Sequence, residues 1–126
     1  MNYKGTIIEE SLEDRGVLKS VKIIGTKAEK VTKRDKTPWI KQWTLHTVEI
    51  PENKAEKVAF EIAKALDSKH SWYADFKTKK RHLIIFKNKV FDIDRTKADD
   101  YEKARNYGIK LGIPEYQLDF SKEIIV

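Results

Sequence analysis

The stretch from His70 to Arg95 constrains the fold most, because it has the pattern of three consecutive antiparallel β-strands. The segments Ser71–Lys77, His82–Phe86 and Val90–Asp94 are rich in aromatic and β-branched residues, and polar turn residues bound each of them. Asn88-Lys89 is typical of a two-residue hairpin turn, since Asn tolerates a positive φ. The pattern therefore predicts a β-meander at the centre of the fold.

The turns of this meander determine which side chains share a face of the sheet. With Asn88-Lys89 at the hairpin tip, Phe86 opposes Phe91 and Ile84 opposes Ile93. A three-residue first turn, Thr78 to Lys80, then predicts one apolar face made of Trp72, Ala74, Phe76, Ile84, Phe86, Phe91 and Ile93. The opposite face carries Tyr73, Asp75, Leu83, Ile85, Val90, Asp92 and Asp94. A register slip of one residue would exchange the two faces.

Length and composition bound the class of protein. At 126 residues the chain fits one domain, which we expect to span residues 1–120 with a frayed tail at 121–126. The absence of Cys excludes disulfides and thiolate metal sites. No apolar run approaches the roughly 20 residues of a membrane span, and the N-terminus lacks a signal-peptide pattern. We therefore expect a cytoplasmic protein that does not enter a membrane.

The basic charge is concentrated in the meander. The chain has a net charge of +6, and residues 71–95 hold seven basic and three acidic residues, 7 − 3 = +4. Most of this excess lies in Lys77, Lys79, Lys80 and Arg81, around one turn. Abundant Lys and Glu without Cys is also typical of a thermophile surface, and that origin would make the charge a background property.

Two helices are predicted around the meander. Asn53–Leu66 begins with a capping residue, has Glu56 three positions later, and carries an apolar stripe at helical spacing. That stripe consists of Ala55, Val58, Ala59, Ile62 and Leu66. Thr96–Leu111 is the second helix, and Gly112 ends it. Its predicted buried stripe is Ala98, Tyr101, Ala104, Gly108 and Leu111, and the small Ala104 and Gly108 imply a close approach to the element on which the helix packs.

Further strands are predicted before the first helix, at Tyr3–Ile8, Val17–Val31 and Trp39–Ile50. A phase change after Ile23 predicts a β-bulge in the second of these strands. The expected fold is α+β, a mostly antiparallel twisted sheet with both helices on one face. The order of elements resembles the split βαβ pattern of ferredoxin-like domains.

Three motifs also resemble a known group of sequences. They are HSWYADFK, IIFKNKVFDIDR and YGIKLGIPEYQLDF, and WTLHTVEIP before the first helix fits the same group. The chain resembles a family of small uncharacterised bacterial and archaeal proteins over most of residues 1–120. The resemblance implies a single domain, and it implies no activity.

The chain has only three histidines, His46, His70 and His82, and no two of them have the spacing of a local metal pair. We therefore predict no metal and no cofactor, and we expect each histidine to hydrogen-bond or to end a strand. His46, His70 and Asp75 are weak catalytic candidates, and with Trp72 they could form a small enzyme or ligand pocket. The sequence assigns no reaction, so enzymatic activity stays open.

Aromatic residues interleaved with lysines suggest a second kind of site. Lys79, Lys80, Arg81, Trp72 and Tyr73 are the binding candidates, since stacked aromatic rings with a cationic rim bind single-stranded nucleic acid. Lys33 and Arg34 would extend this basic surface. Only 5 of the 26 basic residues are Arg, the residue favoured for phosphate recognition, which counts against this interpretation.

The favoured interpretation is a binding or assembly module that associates with its own copy. Three aliphatic residues on the second face of the meander, Leu83, Ile85 and Val90, would supply the contact, or else the helix edge at Phe60. A nucleic-acid or polyanion module that uses residues 77–81 is the first alternative. A small enzyme or ligand-binding pocket around His46, His70, Trp72 and Asp75 is the second.

Overall fold

The computed structural model describes residues 2–30 and 42–118. These form a single α+β domain with a six-stranded antiparallel sheet, so the predicted class is confirmed. The elements are β1 (Tyr3–Ile8), β2 (Lys22–Lys30), β3 (Gln42–Ile50), α1 (Glu52–Ala65), β4 (Tyr73–Lys77), β5 (Arg81–Phe86), β6 (Lys89–Asp94) and α2 (Ala98–Lys110). Short 3-10 segments lie at Glu9–Ser11, Arg15–Ser20 and Glu115–Leu118. The predicted tail at 121–126 lies outside the described residues.

The strands are arranged in the order β2-β3-β1-β4-β5-β6. Because β1 is antiparallel to both β3 and β4, these two strands run parallel with β1 between them. The helix α1 makes the crossover from β3 to β4, which is the split βαβ connection that the order of elements predicted.

The N-terminal strands differ from the prediction at one end. The extended stretch predicted at Val17–Val31 starts later, because Arg15–Ser20 forms a 3-10 helix whose N-terminal N–H, on Gly16, is capped by the Asp14 carboxylate. The predicted bulge is confirmed between Ile23 and Gly25, where the register of β2 against β3 shifts.

The β5–β6 hairpin turns one residue earlier than predicted. Asn88 has a φ of 59°, as expected for the turn residue, but the turn is formed by Lys87 and Asn88. Ile84 therefore opposes Phe91, and Phe86 opposes Lys89. The pairing moves by two residues, which keeps Ile84, Phe86, Phe91 and Ile93 on one face, as predicted.

Because of the link between β4 and β5, each side chain of β4 lies on the face opposite to the one predicted. The N–H of Thr78 donates to the carbonyl oxygen of Arg81 at 2.8 Å, and the Thr78 hydroxyl accepts from the N–H of Arg81 at 3.1 Å. This turn is one residue longer than predicted, so Phe76 opposes Leu83. The prediction that Trp72, Ala74 and Phe76 share a face with Ile84 and Phe86 is therefore wrong.

A different helix packs on each face of the sheet. The helix α1 packs on one face of the sheet, which we call the α1 face. Its buried strand residues include Ile7, Val48, Ile50, Ala74, Phe76, Leu83 and Ile85. The helix α2 packs on the opposite α2 face, over Ile84, Phe86 and Ile93. The prediction that both helices lie on one face is wrong, because the alternating apolar residues of β5 give each side of that strand its own core.

The helix stripes largely match their predictions. All five stripe residues predicted for α1 are buried. On α2, Tyr101, Ala104 and Gly108 are buried, whereas Ala98 is exposed and Leu111 only partly buried. A Cβ on Gly108 would lie 2.7 Å from a methyl carbon of Leu118, so this glycine permits the close approach that the sequence suggested.

On the α2 face, helix cover is confined to one half of the sheet. The buried strand residues beneath α2 belong to β5 and β6. On the same face, Thr6 and Ile8 of β1 and Trp43 and Leu45 of β3 are only partly buried. This difference leaves a concave region beside α2, which forms the candidate site.

Candidate functional site

A cleft of about 350 Å³ lies where the uncovered half of the α2 face meets the chain that follows α2. Its described lining consists of Thr6, Ile8, Trp43, Leu45, Ser71, Trp72, Tyr73, Asp75, Ile113, Tyr116 and Gln117. This volume lies within the range of pockets that hold small organic molecules. Strands β1, β3 and β4 form its floor, so Thr6, Tyr73 and Asp75 stand on regular structure.

The outer wall of the cleft is held in place by hydrogen bonds to residues in and before β4. Gly112 adopts a φ of 92° directly after α2 and turns the chain back toward the sheet. The hydroxyl of Ser71 donates to the carbonyl oxygen of Leu111, and the hydroxyl of Tyr73 donates to that of Gln117. These two bonds attach the segment after α2 to the sheet and define the width of the cleft.

Asp75 stands on the floor of the cleft, and a hydrogen bond with His82 on the neighbouring strand fixes the orientation of its carboxylate. The Nε2 atom of His82 lies 2.7 Å from Oδ2 of Asp75, and its Nδ1 atom lies 3.0 Å from the hydroxyl oxygen of Tyr101. A neutral imidazole satisfies both contacts, since Nε2–H donates to the carboxylate and Nδ1 accepts from the hydroxyl. The side chain of Asp75 is 26% exposed and that of His82 only 1%, so the carboxylate faces the cleft and the imidazole is enclosed.

The electrostatics of the cleft differ from those of the whole chain. Asp75 carries the only formal charge among the described lining residues, whereas the chain has a net charge of +6. Lys77 lies two residues further along β4 on the same face, and Lys4 opposes it on β1, but neither lines the cleft. The cleft is thus a locally acidic site in a basic protein.

The four residues of the predicted pocket do not come together. His46 opposes Ile7 on the α1 face, where its Nε2 contacts Glu9 at 3.0 Å and its Nδ1 contacts Thr26 at 2.9 Å. Asp75 opposes Thr6, the residue before Ile7 on β1, and so lies on the other face. The predicted pocket around His46, His70, Trp72 and Asp75 is therefore not formed, although Trp72 and Asp75 both line the cleft.

His70 is engaged with a nearby carboxylate. Its Nδ1 lies 2.6 Å from Oδ2 of Asp67 in the bend before β4. Burial raises the pKa of Asp67, but the N–H of Lys69 and the imidazole of His70 outweigh this effect, so the pKa lies below its ordinary value. Each of the three histidines thus contacts a carboxylate, and His46, His70 and Asp75 share no common geometry for catalysis.

The meander carboxylates are also divided between the two faces. Asp92 opposes Leu83 and Asp94 opposes Arg81, which places both on the α1 face, away from Asp75. The prediction that the three aspartates share a face is wrong for the same reason as above, the longer link between β4 and β5. The Nε and Nη2 atoms of Arg81 both donate to Oδ1 of Asp92, at 3.0 and 2.8 Å.

The basic turn lies at the other end of β4 from Trp72 and Tyr73. Lys79, Lys80 and Arg81 line a shallow groove of about 510 Å³ together with Asp94 and Thr96. The hydrogen bond to Asp92 raises the pKa of Arg81 and holds its guanidinium against that carboxylate. The five predicted binding residues therefore belong to two separate surfaces, and Lys33 and Arg34 lie outside the described residues.

Sequence reasoning missed the partners of Asp75. His82 is seven residues from Asp75, on the next strand, and Tyr101 comes from α2. Asp75 opposes Ile84, and His82 opposes Lys77, so Asp75 and His82 are diagonal neighbours on one face. The alternation of side chains along the two strands places Asp75 and His82 on one face only if the link between β4 and β5 has four residues rather than three.

No protein-family model matches the chain, and neither the curated proteins nor the solved structures include a significant match. Within residues 2–30 and 42–118, no three His, Asp or Glu side chains are grouped so that they could hold a metal ion. Neither α1 nor α2, the helices of the described chain, is long and apolar enough to cross a membrane.

Proposed function

We propose that the protein is a binding module that takes a small organic ligand into the cleft beside α2. The observation that carries the proposal is the oriented carboxylate of Asp75 on the floor of an apolar, concave site. Small-molecule sites are usually preformed clefts with apolar walls and a few fixed polar groups, and this cleft has both features. Trp43, Trp72 and Ile113 supply apolar wall area, while Thr6 and Asp75 supply polar atoms.

The packing of the walls supports a preformed site. The rings of Trp43 and Trp72 meet edge to face with centroids 5.9 Å apart, which joins β3 to the segment before β4. Ser71 and Tyr73 secure the opposite wall, so two sides of the cleft are anchored on neighbouring residues. A ligand would therefore require little ordering of the protein when it binds.

Binding of indole, monitored by two-dimensional amide NMR, tests this function. We expect indole to shift the resonances of Thr6, Tyr73 and the Trp43 side chain and to leave β6 and α1 unchanged. Trp43→Ala should weaken the effect at least about fivefold, because it removes part of the apolar wall. Phe60→Ala removes an aromatic ring from exposed helix surface and serves as the control. Shifts spread over the whole surface, or none at millimolar indole, would contradict the proposal.

Self-association is the second candidate, now confined to one of its two predicted surfaces. Leu83 and Ile85 are buried beneath α1 and Val90 packs against the same core, so that sheet face is not available to a partner. Phe60 is 52% exposed on α1, which favours the helix edge. Sedimentation of the protein and of Phe60→Gln tests this candidate, since a dimer mass should be lost in the variant.

Polyanion binding at the basic turn stays a prediction. Lys79 and Lys80 are exposed, while Arg81 is engaged by Asp92. Retention on heparin that weakens steeply with salt would support it. The cytoplasmic location, the thermophile origin of the basic surface and the family resemblance also stay predictions.

A further inference from the structure

We infer that the cleft selects organic cations, meaning a primary ammonium or guanidinium group carried on an apolar or aromatic body. The inference rests on the proposed function, because it names the ligand class of the same site. It joins two observations, the single carboxylate among the described lining residues and the aromatic walls around it. Such walls bind the apolar body, and a carboxylate pairs with the cationic group.

The charges of the described lining residues favour a cationic ligand over an anionic one. No Lys or Arg is among the described lining residues, and Asp75 contributes one negative charge. A ligand carboxylate or phosphate would approach Asp75 with no cation among the described lining residues to compensate for the repulsion. An ammonium group would instead form a charge-assisted hydrogen bond in a partly desolvated site, where such a bond is stronger than in water.

His82 and Tyr101 give the carboxylate a fixed direction. The enclosed imidazole of His82 contacts Oδ2 of Asp75, which leaves Oδ1 as the second acceptor atom of a carboxylate that is part exposed to the cleft. Tyr101, buried beneath α2, contacts the other nitrogen of that imidazole. His82 and Tyr101 are thus positioning residues, since neither is part of the cleft lining and both act through Asp75.

The net positive charge of the protein opposes the binding of cations in general. With a charge of +6, nonspecific electrostatic attraction would favour anions over cations. Lys77 and Lys4 stand next to Asp75 on the same face and would strengthen that general preference. Selection of a cation can therefore come only from the local geometry at Asp75.

Three probes of similar shape separate the contributions: tryptamine as the cation, 3-ethylindole as its neutral counterpart, and indole-3-propionate as the anion. Titration of the intact chain, followed by the cleft resonances, should give at least about tenfold tighter binding of tryptamine than of 3-ethylindole, equivalent to about 1.4 kcal/mol. Indole-3-propionate should bind weakest. Equal binding of the first two at the cleft would overturn the cation preference and leave the binding function intact. No binding of any probe at the cleft would contradict the binding function itself.

Two matched variants test the role of Asp75. Asp75→Asn should reduce the ratio of tryptamine affinity to 3-ethylindole affinity to about one. Asp92→Asn makes the same chemical change at a strand carboxylate outside the cleft, and it should leave the preference at its original value. An equal loss of preference in both variants would show that total charge decides, and that result would overturn the inference.

Tyr101→Phe tests the positioning through His82. We expect about a threefold loss in the ratio of tryptamine to 3-ethylindole affinity, because the carboxylate keeps its charge but loses part of its orientation. A purely structural role for Tyr101 would lower both affinities together. An unchanged ratio would therefore remove the positioning role while the preference for cations stands on Asp75 alone.

Discussion

The two halves of the α2 face share one sheet surface but are used differently. Beneath α2, Phe86 and Ile93 are buried, and the ring of Phe86 packs against that of Tyr107 with centroids 5.0 Å apart. Beyond the edge of α2, Thr6 and Leu45 remain partly exposed, and the cleft opens between them and the chain after the helix. The length and position of one helix therefore divide the surface into a sealed half that stabilises the fold and an open half that leaves room for a ligand.

Phe86→Ala should produce the largest difference between the halves. It removes a fully buried ring from the sealed half, so we expect a loss of about 3–5 kcal/mol in the free energy of unfolding. Leu45→Ala removes a partly exposed side chain from the open half and should cost less than about 1.5 kcal/mol. Urea denaturation measures both values, and similar losses would mean that the open half is as much a core as the sealed one.

Gly5→Ala should disrupt the pairing of β1 with β4, two of the strands that form the floor of the open half. A Cβ at residue 5 would lie 1.8 Å from the carbonyl oxygen of Asp75 and 2.5 Å from Cα of Phe76. These are backbone atoms of β4, so β1 and β4 must move apart, at a cost of about 3 kcal/mol. Amide hydrogen exchange should accelerate in β1 and β4 more than in β5 and β6. Gly25→Ala is the control, since its Cβ would meet only Thr47, at 3.9 Å.

Tyr101→Phe should have a smaller effect on stability and should connect the halves. It deletes the hydroxyl beneath α2 that contacts His82, and His82 in turn contacts Asp75 in the cleft. We expect a loss of about 1 kcal/mol in unfolding free energy, the usual value of one hydrogen bond. Amide resonances of β4 beside Asp75 should shift as well. A change confined to α2 would indicate that the two halves are not coupled through His82.

Acidification should reveal a polar contribution on the α1 face of β3, on the opposite side of the sheet from the open half. Burial raises the pKa of Glu10, but hydrogen bonds from the N–H and hydroxyl of Thr44, at 2.6 and 2.8 Å, outweigh it and hold the pKa below its ordinary value of 4.5. A carboxylate with a lowered pKa in the folded state stabilises the protein above pH 4.5, and this contribution is lost as the pH falls through the lowered value.

Glu10→Gln should therefore flatten the decline of stability below pH 4.5, by an amount that urea denaturation at several pH values can measure. Thr44→Val removes the hydroxyl but keeps the N–H donor, so it should flatten the curve only in part. If both variants show the slope of the original protein, the bond between Glu10 and Thr44 does not contribute.

Particular residues show how far the sequence could predict this protein. The stripe of α1, the buried Phe86 and Ile93, the turn residue Asn88 and the helix end at Gly112 were all predicted, because each follows from periodicity or from the backbone preferences of one residue. Asp75 and Trp72 were singled out as site candidates and both line the cleft. His82 and Tyr101 were not linked to Asp75, since no local pattern joins three residues from β4, β5 and α2.

The amino-acid sequence by itself determined most of the helices and strands, the α+β class and the apolar character of the meander, since these depend on side chains only a few positions apart. The tertiary structure alone decided the register of β4 against β5, the placement of the helices on opposite faces and the position of the cleft. A difference of one residue in a turn reverses every side chain of a strand, and its energy depends on both cores at once. The hydrogen bonds of Thr78 with Arg81 close the longer turn and place Asp75 on the open half.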